Sequence, residues 1–252
     1  MLLEGPIEYA LARVQSQYGR RLTASDWRRL ETSHDLGQYL SSARSTIFAG
    51  WVSSLDRHRD AHAIERSLRS AWRRYVRAVA AWHPRRWQPW LAWLEWLPSL
   101  ALLARLARAE PVPAWLAADP ALGSAARGSL NERLDALKTA GLEVFEPAIA
   151  GRRALGELWL AHWRQLRPRA DLHTEQLLAS TRNTLENHAL RIAEQGADGA
   201  MLREHLRERL SQLFRASAGT AVATLCHLSL MALDFERLRG GLVTRALFAR
   251  GE

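Results

Sequence analysis

Two histidine arrangements and one row of arginines are where this sequence could do chemistry. His58 and His62 are four residues apart, with Asp60 and Glu65 beside them. On one helix face such a pair could share a metal ion; the plainer alternative is a solvated helix start. Cys226 and His227 are adjacent, which sets their side chains about 100° apart on a helix. A Cys/His catalytic pair needs side chains that face each other. The pair therefore reads as a buried small residue beside a core or interface histidine. Arg66, Arg69, Arg73 and Arg77 recur at steps of three and four. They make a cationic row roughly opposite the apolar stripe of the same helix. Such a row can meet phosphates or an acidic partner, or be no more than a solvated face.

Motifs that would turn these residues into a catalyst are missing. The chain has no GxxxxGK[ST] loop, no GxGxxG after a strand, no HExxH and no GxSxG, so nucleotide hydrolysis is not expected of it. The acidic residues are scattered and offer no carboxylate pair. Cys226 is the single cysteine, which excludes an intramolecular disulfide and any multi-cysteine zinc or iron–sulfur site. No catalytic, metal or cofactor-binding residue is expected, and no small-molecule substrate.

The elements that must position these residues are helical throughout. Hydrophobic residues are 48% of the 252 and charged residues 24%, the balance of a folded globule rather than a disordered chain. No hairpin signal and no sustained period-2 run is present, whereas periods of three and four are nearly everywhere. The expectation is an all-α, multi-helix protein of roughly ten or more helices, with no sheet. Pro6 opens a first helix through Ile7, Leu11, Val14 and Tyr18. Thr23 and Asp26 resemble a capping box before Trp27 and Leu30, and Asp35 can cap a short helix carrying Tyr39. Ala61, Ile64, Leu68, Ala71, Tyr75, Val79 and Trp82 lay one apolar stripe along a helix that Pro84 closes.

Trp87, Trp90, Trp93 and Trp96 are spaced by three. On an α-helix the row drifts by about 60° per step, so a helix packed on several sides is expected rather than one flat stacking face. The stretch 109–130 holds Pro111, Pro113, Pro120, Gly123 and Gly128. A single helical domain over 1–252 is expected, or two helical halves with a break there. Later helical patterns fall near 129–140, 152–166, 171–195, 198–215 and 217–239. Gly196 and Gly199 mark a turn, and Gly240-Gly241 ends the last long helix. Residues 87–104 carry one charge and 216–233 none, yet prolines in the first and polar residues in the second favour buried helices over membrane spans. Glu4 and Glu8 stand where the apolar run of a secretory signal would be. With 35 basic against 26 acidic residues the net charge is +9, and Lys138 is the only lysine.

Three stretches together resemble one family. Tyr9-Ala-Leu-Ala-Arg13-Val14, followed by Leu22, Trp27, Leu30, Asp35-Leu36, Tyr39-Leu40 and Thr46, is similar to the opening of the V-type ATPase rotor-adapter family, whose members are the C-type and d-type subunits. Ile64-Glu65-Arg66-Ser67-Leu68 is similar to that family's IE-x-x-L start of a long helix. Leu233-Asp234-Phe235-Glu236-Arg237-Leu238-Arg239-Gly240 resembles its C-terminal E-I-R-N-L-R-G segment. Asp234 stands for Glu and Arg237 for Asn, while Leu238, Arg239 and Gly240 match directly. The resemblance implies an all-helical, non-catalytic rotor adapter, its helices in a funnel-like or bundle arrangement, that joins the central-stalk subunits to the membrane rotor ring in proton or sodium transport. It implies a place on the cytoplasmic face of the membrane, peripherally bound. On a helix Phe235 and Leu238 would share a buried edge, leaving Asp234 beside Arg237 as an ion pair. The alternative function is a helical nucleic-acid-binding protein using Arg66, Arg69, Arg73 and Arg77, although nucleic acid is the less expected partner.

Overall fold

The computed structural model describes residues 7–107, 112–192 and 198–248, all of them helix, turn or loop, with no strand among them. Two compact units emerge. The first joins residues 1–92 to 168–252, and the second is the intervening 93–167. The Pro/Gly-rich stretch 109–130 thus lies inside the second unit, and Pro111 is outside the described residues. Breakers end helices, whereas a unit ends where side chains stop sharing a core.

The first unit opens with α1 (Ile7–Gly19), α2 (Ala24–Glu31), α3 (Leu36–Arg44) and the single turn α4 (Ala49–Val52). Pro6, expected to open α1, lies outside the described residues. The caps are as the sequence reads. Thr23 and Asp26 form a reciprocal capping box, and the Asp35 carboxylate accepts from the Gln38 N–H. The long helix α5 (Ala61–Ala81) starts at Asp60, whose carboxylate accepts from the Ala63 N–H at 2.7 Å. A 3₁₀ turn, Arg85–Trp87, leads into α6 (Gln88–Ala92).

The second unit begins with a 3₁₀ helix, Trp93–Ser99, and continues through α7 (Leu100–Leu106), α8 (Leu130–Thr139), α9 (Glu146–Ile149) and α10 (Leu155–Gln165). The tryptophan row is consequently not one α-helix. Trp87 and Trp90 are buried in the first unit, edge to face at 5.6 Å; Trp93 and Trp96 are buried in the second. Pro98 lies within the 3₁₀ segment, where three residues complete a turn and positions i and i+3 eclipse. Trp93 and Trp96 therefore line up one above the other, where an α-helix would offset them by about 60°. Trp93 stacks on the buried Phe145 at 5.7 Å, and its indole N–H donates to the Trp159 carbonyl at 3.2 Å.

Back in the first unit, α11 (Leu172–Ile192) and α12 (Gly199–Ala216) form a helical hairpin against α13 (Ala221–Phe248). Gly196 lies outside the described residues, and Gly199 is the first residue of α12, capped by Asp198. α13 is the axis of the unit and packs against α1, α3, α5, α11 and α12. Its first half is buried on all sides, from Ala221 through Leu228, as a helix apolar all round must be. Among the described residues no helix is long and apolar enough to cross a membrane.

Gly240-Gly241 does not end α13, which runs on to Phe248. A Cβ at Gly241 would overlap the Tyr39 ring and hydroxyl, whereas one at Gly240 would meet nothing. Gly241 is small because α3 crosses there, so the pair marks a close approach and not a C-cap.

Candidate functional site

The residues of the three family-like stretches converge on the surface of α13. Asp234 is fully buried, the first charge after an uncharged run from 216 to 233. Two cations meet it. Arg21, just after α1, donates through Nε at 2.8 Å to Oδ2, and Arg207 on α12 donates through Nη1 at 2.5 Å to Oδ1. The expected Asp234–Arg237 pair is thereby corrected. One turn on, Arg237 points to α2 instead. Along one edge its Nε and Nη2 donate to the two carboxylate oxygens of Glu31, at 2.6 and 2.7 Å, and the guanidinium lies 4.8 Å above the Trp27 ring. Hydrogen bonding to that carboxylate pushes the Arg237 pKa further up. A guanidinium reaches well past its own turn, and a planar fork takes a carboxylate it can approach in plane.

Arg239 leaves α13 on another side, donating to Glu65 of α5 at 2.7 Å and to Glu236 at 2.9 Å. Arg245 lies over the Tyr39 ring at 4.2 Å and donates to the backbone carbonyls of Ser33 and Glu31. Phe235 and Leu238 are buried together as expected, and Gly240 follows them with open space where a Cβ would lie. Phe235 faces Trp72 at 5.8 Å and Trp51 at 6.1 Å.

Polar ties also link α13 to α5, which runs the opposite way, and to the residues just after it. Tyr75 Oη and His227 Nε2 share a hydrogen bond at 2.6 Å; Thr224 Oγ1 and His83 Nε2 share one at 2.8 Å. Burial drives both imidazoles towards the neutral form, with pKa values down to about 4 for His83 and about 3 for His227. The Arg21 charge adds to the effect at His227. The Nδ1 atoms of both rings have no hydrogen-bond partner among the described residues. Cys226 is buried, and burial raises its thiol to a pKa of about 11. A neutral thiol beside an imidazole committed to Tyr75 has the features of core packing, not of a nucleophile.

The arginine row is reshaped by packing. Arg69 and Arg73 are buried, Arg66 is half-buried, and only Arg77 is exposed. α5 contacts α4, α6 and α13, so one apolar stripe does not exhaust its buried surface. Trp72 and Val76 are buried outside that stripe. Arg69 lies 3.7 Å from Glu65, and Arg73 and Arg77 are engaged as well. A row facing solvent or phosphates is therefore not what the four residues form. His58 and His62 do not share a helix face either. His58 precedes the Asp60 cap and accepts from the Arg57 Nε–H at 3.1 Å. No cluster of three metal-ligating side chains occurs among the described residues.

Arg21, Arg207, Glu31 and Trp27 escaped sequence reading as the partners of this segment. One signal was present: an acid closing an uncharged helix demands a cation. Which of many arginines answers it depends on the packing of α1 and α12. No protein-family model, curated protein or solved structure matches the chain.

Proposed function

We propose that the chain is a non-catalytic structural adapter of a rotary V-type ATPase, joining central-stalk subunits to the membrane rotor ring from the cytoplasmic face. The observation that carries this reading is the convergence on α13. Stretches near residues 9–46, 64–68 and 233–240 resemble the family in sequence. Arg21, Trp27 and Glu31 from the first and Glu65 from the second each meet Asp234, Arg237 or Arg239 of the third, at separate points along α13. Parts that belong to one mechanical body would be expected to meet in this way. An adapter transmits torque, which requires helices cross-tied at several heights; ion pairs at Glu65, Glu31 and Asp234 supply such ties.

Burial of Arg69 and Arg73 weighs against the nucleic-acid alternative, because a phosphate would reach only part of the row. The test is affinity capture of the tagged chain from detergent-solubilised membranes of its own organism. Stalk and ring subunits should be retained together with it, in comparable amounts. Their absence, with the chain recovered free of any rotary ATPase component, would overturn the proposal. Duplex binding with a steep salt dependence would favour the alternative.

A further inference from the structure

A cleft of about 480 Å³ opens between the end of α1, α2 and the turn that follows α3. Arg20, Arg21 and Arg29 line it, with Asp26, Ser42 and Thr46. Its charge is unbalanced. The carboxylate of Asp26 is consumed by the capping box, accepting from the Thr23 N–H at 3.0 Å and the Thr23 hydroxyl at 2.6 Å. Arg21 is held from behind. Its Nε is directed at Asp234, its side chain is 10% exposed, and its two terminal nitrogens have no partner among the described residues. Arg20 and Arg29 are exposed and form no ion pair with a described residue.

One guanidinium is thus fixed by a buried carboxylate with its other edge free. Two further guanidiniums stand on the same cleft, and the one lining carboxylate, Asp26, feels the Arg29 charge but is occupied by its capping box. A tetrahedral dianion meets three planar forks from three directions, which a single carboxylate cannot do. We propose that this cleft is an anion site for a phosphate monoester, with Arg21 as its fixed floor and Arg20 and Arg29 as its two jaws. The volume exceeds that of a phosphate group, and Leu22, Leu30 and Ile47 line the rest. The ligand accordingly carries an organic body with an apolar part. The phosphate belongs to a soluble ester or to a lipid headgroup; both offer the same terminal group. This inference stands apart from the proposed adapter role and does not need it.

The experiment uses the full chain at low salt. Inorganic phosphate is titrated by calorimetry, with sodium chloride matched in ionic strength. Vesicles of phosphatidylcholine, with and without phosphatidic acid, form the second arm. Wild type is expected to bind phosphate, or the phosphatidic acid vesicles, saturably. Arg20→Gln and Arg29→Gln each remove a charge-assisted contact and weaken binding about tenfold or more. Neither side chain makes a hydrogen bond or a close ion pair with a described residue, and Arg29 meets Asp26 only through an exposed i, i+3 attraction, so both variants melt within about 2 °C of wild type. Arg28→Gln, exposed on the same helix but outside the cleft, leaves binding intact. Saturation by free phosphate assigns a soluble ester; saturation by vesicles alone, with the same arginine dependence, assigns a lipid headgroup. Saturation in neither arm overturns the proposal, and so does binding that Arg28→Gln weakens as much as Arg29→Gln.

Discussion

Replacing Asp234 by Asn leaves the shape of the side chain and removes its charge. The carboxylate is wholly buried, while Arg21 and Arg207 keep 10% and 18% of their side-chain surface. Removing one member of a buried ionic group costs about 3–5 kcal/mol, because the remaining charges are stranded. Here both arginines retain a route to water, which screens their mutual repulsion. The lower end, about 3 kcal/mol, is the expected loss. For a unit of this size each kcal/mol lowers the melting temperature by about 2–4 °C, so a fall of about 6–12 °C follows. Thermal unfolding followed by circular dichroism at neutral pH measures it. A companion variant sharpens the reasoning. Arg21→Met, Asp234→Leu and Arg207→Met together replace the ionic group by apolar volume, and such replacements are often neutral or stabilising. The triple variant should therefore melt above Asp234→Asn. If it melts lower, or if Asp234→Asn melts within about 2 °C of wild type, stranded charge is not what the buried carboxylate prevents.

His83 and His227 titrate at about 4 and about 3 in the folded chain, against about 6.5 when unfolded. Below about pH 6.5 the unfolded state takes up protons that the folded state refuses, so stability is complete above that pH and falls as pH drops towards 4. The loss is on the order of 1 kcal/mol per pH unit for each histidine, and melting curves of His227→Gln between pH 7 and 5 should show a shallower slope than wild type. Gly241→Ala drives a methyl into Tyr39 and should destabilise by about 1–3 kcal/mol. Gly240→Ala adds a helix former in open space and should stabilise by about 0.5–1 kcal/mol; urea unfolding of the two variants must give opposite signs. Arg237→Ala loses a half-exposed bidentate pair with Glu31 and the stack on Trp27, together about 1–2 kcal/mol. Glu31→Gln in that background should add little, and full additivity in a double-mutant cycle would show the pair is uncoupled.

Periodicity and caps determine the helices of this protein without any tertiary contact. Thr23, Asp26 and Asp35 fix helix starts through side-chain bonds to amides three residues away, an interaction local enough to be read from spacing. The uncharged run from 216 to 233 reads as a buried helix, and Ala221–Leu228 within it is buried on every side. Tertiary structure decided the rest, for reasons of reach and crossing. An arginine side chain extends far enough to leave its own helix, so Arg237 and Arg239 find Glu31 and Glu65 rather than the neighbours their spacing offers. Local geometry overrode the α-helical drift at Trp93 and Trp96, where a 3₁₀ turn carrying Pro98 aligns what an α-helix would splay. Gly241 reads as a helix stop from its type alone and becomes a crossing point only when Tyr39 arrives from α3. Spacing along the chain fixes which residues share a face, but only the packing of separate helices fixes what that face meets.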